Sequence, residues 1–132
     1  MKNELDLVRA LTSKAESDLR MAEIGIEHDG PLDAVAFHLQ QTAEKLLRAL
    51  LASRAIEYPR THDVEALLDL ALTDFAVLDG FRERLLGLNA YAVEMRYDAA
   101  LYPDREEVLA ALETVRDLRS EISQLLPEEA QP

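Results

Sequence analysis

The fifteen residues from Phe37 to Leu51 contain no glycine or proline and repeat at helical spacing. Leu39, Ala43, Leu46 and Leu50 recur at offsets of four, three and four, which draws one apolar stripe along a helix. Phe37, Gln41, Glu44 and Arg48 follow the same spacing on the neighbouring face and are polar after the first. A helix of this kind can occupy the middle of a bundle and still present an amide, a carboxylate and a guanidinium at one edge. The remaining sequence reads as helices laid around it.

The 132 residues suit a single domain, and 48% apolar residues can fill a core. Four glycines and five prolines leave few breaks, which favours long helices over many short strands. Cysteine is absent, so disulfides and thiolate chemistry are excluded. Lys2, Glu4 and Asp6 stand where a secretion leader needs an apolar run, and no apolar run approaches the roughly 18 residues of a membrane span. The expected location is the cytoplasm. The net charge is −12, divided as −4 over residues 1–66 and −8 over residues 67–132. Such a surface repels phosphate backbones at long range, and general binding of long RNA or DNA is disfavoured.

Taken in order, the first helix runs from residue 3 to about residue 28, with Asn3 as N-cap and Glu4 and Asp6 near its positive end. Leu5, Val8, Thr12, Ala15, Leu19, Ala22 and Ile26 form its core face, and Glu16 with Arg20 makes an exposed pair. Gly30 suits a left-handed or cap geometry, and Pro31 opens a second helix reaching about Arg54. Two long helices joined by so short a turn are antiparallel neighbours. Thr61 is the expected N-cap of a short third helix from His62 to about Leu72. Thr73-Asp74 starts a fourth, reaching Arg96 or Tyr97, with Leu78, Phe81, Leu85, Leu88, Ala92 and Met95 as its stripe. Gly80 and Gly87 weaken it by about 1 kcal/mol each relative to alanine, which leaves room for a break near its start. After a loop from Tyr97 to Pro103, Asp104 and Glu107 form a capping-box start. The fifth helix turns Val108, Ala111, Val115, Leu118, Ile122 and Leu125 inward and stops at Pro127. The expected fold is an all-α, up-and-down bundle of about five helices over residues 1–127, two of them long and antiparallel, with a disordered tail at residues 128–132.

Common catalytic signatures fail. There is no glycine-rich phosphate loop and no zincin pair of histidines, and His28, His38 and His62 are scattered. No metal site is expected. The polar residues beside apolar faces are His38, Gln41, Glu44, Lys45 and Arg48 on the second helix and Asn89 and Arg96 on the fourth. Tyr97, Asp98 and Tyr102 follow in the loop. A planar guanidinium at a helix end is a good phosphate ligand but cannot act as a base at neutral pH. Each of these residues also has a plain structural reading. Gln41, Glu44 and Lys45 can tie the second helix to a neighbour, Asn89 can bridge helices, and His62 can bond locally at a first turn.

The run from Phe37 to Leu51, then Pro59-Arg60-Thr61-His62-Asp63 before Leu67-Leu68, then Leu88-Asn89 and Arg96-Tyr97, resembles the HEPN (higher eukaryote and prokaryote nucleotide-binding) domains. The resemblance implies a four-to-five-helix bundle, usually a homodimer. It also implies a small prokaryotic protein often paired with a minimal nucleotidyltransferase, as toxin and antitoxin. Many such domains are metal-independent ribonucleases whose Arg-x4–6-His motif is assembled across the dimer. Arg96 matches the motif arginine, but Leu101, Tyr102 and Pro103 stand where the histidine is expected, and no histidine follows His62. In related toxins a tyrosine beside the motif is adenylylated by the partner, a role that falls here to Tyr102 or Tyr97.

Three readings follow. The first is an interaction module for a nucleotidyltransferase, without nuclease activity because the motif histidine is missing, with no required cofactor and a nucleotide held by Gln41, Glu44, Lys45, Asn89 and Arg96. The second is a divergent ribonuclease toxin in which Arg96 stabilises the scissile phosphate and Tyr102, Asp98 or Glu44 replaces the histidine. The third is a purely structural helical dimer.

Overall fold

The computed structural model describes residues 4–91 and 102–131. Among them are five α-helices and no strand: α1 (Glu4–Glu27), α2 (Leu32–Ser53), α3 (Val64–Leu72), α4 (Arg82–Leu85) and α5 (Arg105–Leu125). Three 3-10 turns, Ala76–Phe81, Leu88–Tyr91 and Glu128–Ala130, complete the order. The all-α bundle is as expected from the periodicity.

α2 is the spine. Thirteen of its 22 residues are buried, including Leu39, Ala43, Leu46 and Leu50 of the stripe. At about 1.5 Å per residue it is about 33 Å long, the width of a small domain. α1 lies along it through Val8, Thr12, Ala15, Leu19 and Ala22, and α5 covers another flank through Val108, Leu112, Val115, Leu118 and Ile122. Gly25 permits the close approach of α1, because a Cβ there would stand 2.5 Å from Val35 Cγ2.

The caps differ in detail from the expectation. Gly30 is not the left-handed residue ending α1; Asp29 is, with φ 52°, and the Gly30 amide donates back to the Gly25 carbonyl at 2.7 Å. The same six-residue closure ends α2, where the Ile56 amide reaches the Leu51 carbonyl at 3.0 Å across Ala55, φ 54°. α3 begins at Val64 with Asp63, not Thr61, as N-cap: the Asp63 carboxylate accepts from the Ala66 amide. Thr61 supports it one step out, its hydroxyl accepting from the Asp63 amide at 3.0 Å. The capping box of α5 forms as expected, with Asp104 accepting from the Glu107 amide at 2.8 Å. Asn3 lies outside the described residues.

The expected long fourth helix is broken. Phe75, Leu78 and Phe81 are buried and spaced by three, the period of a 3-10 turn, so a 3-10 segment aligns them where an α-helix would rotate them apart. α4 adds one turn. Leu86 is then extended and Gly87 takes φ 92°, which turns the chain into Leu88–Tyr91. Leu85 and Leu88 still reach the core, so the apolar stripe survives while the helix does not. Ala92 and Met95 lie outside the described residues. The expected disordered tail is corrected through residue 131: Glu128–Ala130 makes a turn, Ala130 is buried, and Arg9 Nε on α1 donates to the Glu129 carbonyl at 3.0 Å. Its backbone is held by these bonds to α1, which a terminal sequence of Glu and Ala does not announce.

Ala55→Gly is expected to stabilise the protein by about 1 kcal/mol, since glycine removes the left-handed penalty of an L side chain. Asp29→Gly should gain less, because aspartate tolerates that conformation better. Gly25→Ala is expected to cost about 1–3 kcal/mol by overpacking against the stiff Val35, and Val35→Ala in the same chain should recover part of the loss. Urea unfolding midpoints at constant m-value measure all four.

Candidate functional site

The spacing that puts apolar residues on one face of α2 also puts Gln40 in line with Ala36, Ala43 and Leu47 on a buried face. Gln40 is 0% exposed and Glu44, one turn on, is 1% exposed. A buried carboxylate is costly unless donors surround it. Here Gln40 Nε2 donates to Glu44 Oε2 at 3.0 Å, Arg48 Nη1 stands 2.7 Å from Oε1, and His62 Nδ1 approaches Oε2 at 3.1 Å. Gln41 adds a long contact at 3.4 Å and bonds Gln40 Oε1 at 2.7 Å.

The same side chains clamp the start of α3. Gln40 Nε2 also donates to the His62 carbonyl at 2.9 Å, and Arg48 Nη2 donates to the Thr61 carbonyl. From the other side Asn89 Oδ1 accepts from the Val64 amide and Asn89 Nδ2 donates to Asp63, both at 2.8 Å. Three consecutive residues, Thr61 to Asp63, are therefore fixed from α2 and from the Leu88–Tyr91 turn together. Arg48 also lies over the Tyr58 ring at 5.9 Å.

A second polar cluster joins α1 to α2. Asp18 takes His38 Nδ1 on one oxygen at 2.9 Å and Lys45 Nζ on the other. Lys45 thus faces α1 and is separate in its bonding from the Glu44 cluster. Tyr102 is 54% exposed, and its hydroxyl accepts from the Leu32 amide in the first turn of α2 at 3.1 Å. Of the candidate residues, Gln41, Glu44 and Asn89 are brought into one network, while Lys45 and Tyr102 belong elsewhere. Arg96, Tyr97 and Asp98 lie outside the described residues.

A family model for the HEPN domain matches residues 8–125. The chain belongs to the HEPN family. No curated protein and no solved structure matches it. The HEPN match spans α1 to the end of α5, so the described bundle and the family region coincide.

A groove of about 420 Å³ lies between α2, the Gly87 break and α5, lined by Ala36, Leu88, Val108 and Ala111 with Tyr91 at its edge. The Tyr91 hydroxyl is held above its ordinary pKa by burial first and then by the carboxylates of Glu107 and Asp104. Gln41, Glu44, Lys45, Asn89 and Tyr102 do not line this groove. No described helix is long and apolar enough to cross a membrane.

Sequence reasoning missed Gln40 and Asp18 and undervalued His62. Gln40 was detectable, because an amide in a buried helical register must find partners. Asp18 was not, since pairing α1 to α2 depends on their register. Glu16 shows the same limit: it pairs with Arg119 of α5 and not with Arg20, whose partners are Glu23 and Glu27.

Glu44→Ala is expected to destabilise the HEPN bundle by about 3 kcal/mol, the low end for breaking a buried ion pair, since Arg48 keeps some solvent contact. Asn89→Ala, which leaves the Val64 amide without its acceptor, should cost about 1–2 kcal/mol. Thermal and urea unfolding check both, and a loss under 0.5 kcal/mol for Glu44→Ala would show the network to be dispensable.

Proposed function

We propose that this HEPN chain is an interaction module that acts as a cytoplasmic homodimer beside a nucleotidyltransferase, in a toxin–antitoxin-like pair. The observation that carries this reading is the state of the polar residues. Gln41, Glu44, Lys45 and Asn89 are all bonded within the bundle, whereas Tyr102 is half exposed, with its hydroxyl at the start of α2. The nucleotide is therefore better placed as the partner's substrate than as a resident ligand.

Tyr102 is the acceptor in this proposal. Its oxygen attacks the α-phosphorus of a nucleoside triphosphate held by the partner, pyrophosphate leaves, and the phenolic proton passes to solvent. The new phosphodiester anion then lies by the N-terminus of α2, where the helix dipole favours negative charge. Co-expression with a minimal nucleotidyltransferase encoded beside this chain is expected to give a complex at micromolar concentration. The wild type should gain the mass of one nucleotidyl group and Tyr102→Phe should gain none. Absence of any complex would sink the proposal.

A second reading, the divergent ribonuclease in which Arg96 stabilises the scissile phosphate, is favoured by one specific contact, His62 on Glu44. It also loses one of its stand-in proton carriers, because Glu44 is buried with its oxygens occupied. Under this reading Arg96→Ala is expected to lower RNA cleavage about a hundredfold, the size of losing one charge-stabilising group.

A further inference from the structure

Thr12, Gln40, Thr42, Glu44 and Thr114 are the buried polar side chains among the described residues. The first four are hydrogen-bonded within the bundle. Thr114 on α5 is 6% exposed, and among the described residues its hydroxyl makes no hydrogen bond. An unpaired hydroxyl at this depth destabilises a fold, and its presence calls for a partner. Thr114 lines the groove of about 420 Å³ between α2, the Gly87 break and α5.

The groove exists because small residues meet there. Ala36, Gly87, Ala110 and Ala111 all line it, and a Cβ added at Gly87 would meet nothing within 4 Å. Its polar groups stand at opposite ends. Glu107 precedes Thr114 on α5 by two helical turns, about 10 Å along the axis. The Glu107 carboxylate is exposed at the groove and pairs with no cation among the described residues. Burial first, and then the fields of Glu107 and Asp104, raise the pKa of Tyr91, so negative potential reaches this end. The Thr114 end offers donors instead. Arg84 lines it, with Nη2 on Asp117 one turn past Thr114 and the guanidinium over the Phe81 ring. Its other N–H groups take no hydrogen bond among the described residues.

We propose that this groove is a binding site for a small amphipathic amine. The ammonium sits at Glu107, an apolar body lies along Val108 and Ala111, and a carbonyl accepts from Thr114 and Arg84. The volume falls in the range of small-ligand sites, about 300–1,000 Å³. Two turns of a partner helix, about 10 Å across, occupy roughly twice the volume of this groove. A nucleotide is the wrong ligand, because its phosphates would meet Glu107 at one end and an arginine already tied to Asp117 at the other. The site uses neither Tyr102 nor the Glu44 network, so it stands whether or not the chain pairs with a nucleotidyltransferase.

The probe is a biphenyl with an aminomethyl group at one para end and a carboxamide at the other, which matches the separation of Glu107 from Thr114. Two analogues carry a methyl or a carboxylate in place of the amine. Each is titrated into the full chain and followed by backbone amide NMR shifts. The wild type is expected to bind the amine with a Kd of about 0.1 mM, with shifts at Gly87, Ala111 and Thr114. The carboxylate analogue should bind about tenfold more weakly or worse, since it meets a like charge. Glu107→Gln should erase the preference for the amine over the methyl analogue, a change that general damage does not produce. Thr114→Val keeps the shape and drops the hydroxyl. It should weaken the amine about 3–10-fold while melting at the wild-type temperature or above, whereas loss of a structural hydrogen bond would lower the melting temperature. Ala111→Leu fills the groove and should abolish binding. No binding by the wild type at millimolar probe, equal affinity for amine and carboxylate, or full binding by a folded Ala111→Leu overturns the proposal. Unchanged amine affinity in both Glu107→Gln and Thr114→Val overturns it as well, and needs no result from Ala111→Leu.

Discussion

The burial of the Glu44 carboxylate is the constraint on which the rest of the structure depends. A charge 1% exposed in a helical core is tolerated only with a full set of donors. α2 supplies Gln40 from the preceding turn and Arg48 from the following one, both at four-residue spacing, so most of the cost is met within one helix. The remaining donor, His62, comes from 18 residues away, and that long-range contact dictates where α3 begins. Replacing the cluster with leucine would pack as well, but it would not specify the register of α3 on α2.

From this anchor the bundle builds outward in two manners. Leu39, Leu46, Leu47 and Leu50 fill the interior and are 0–1% exposed. At the rim, Arg119 pairs with Glu16 and Arg116 with Glu23, joining α5 to α1 across partly exposed sites. Exposed pairs contribute about 0–1 kcal/mol each, so these set alignment more than stability. The Asp18 cluster does the same task between α1 and α2, with less solvent contact.

How far the sequence discloses this depends on the range of the interactions. The helices α1, α2, α3 and α5 are legible because their apolar periods act within a few turns, and the Asp104 cap is legible because it is local. The fourth helix misleads because Phe75, Leu78, Phe81, Leu85 and Leu88 satisfy a helical stripe loosely, while spacing by three and a left-handed Gly87 decide the backbone. Asp29 and Ala55 mislead in another way: the closure of each helix end forces φ positive on whatever residue stands there. The site was half legible. Glu44 and Gln41 were found from their edge position on α2, whereas the value of His62 appears only once Glu44 reaches it across the fold.

The acidic surface and phosphate chemistry are compatible only if the contact is local. With a net charge of −12, long-range attraction of nucleic acid is absent, so recognition must rest on short-range groups presented in fixed geometry. The start of α3 meets that condition, since its rigidity comes from Gln40, Arg48 and Asn89 and not from attraction to a ligand. Tyr102, half exposed beside the first turn of α2, meets it differently, since any negative charge there lies by the positive end of a helix. At both places the local geometry is set by bonds inside the bundle, so it does not depend on the acidic surface around it.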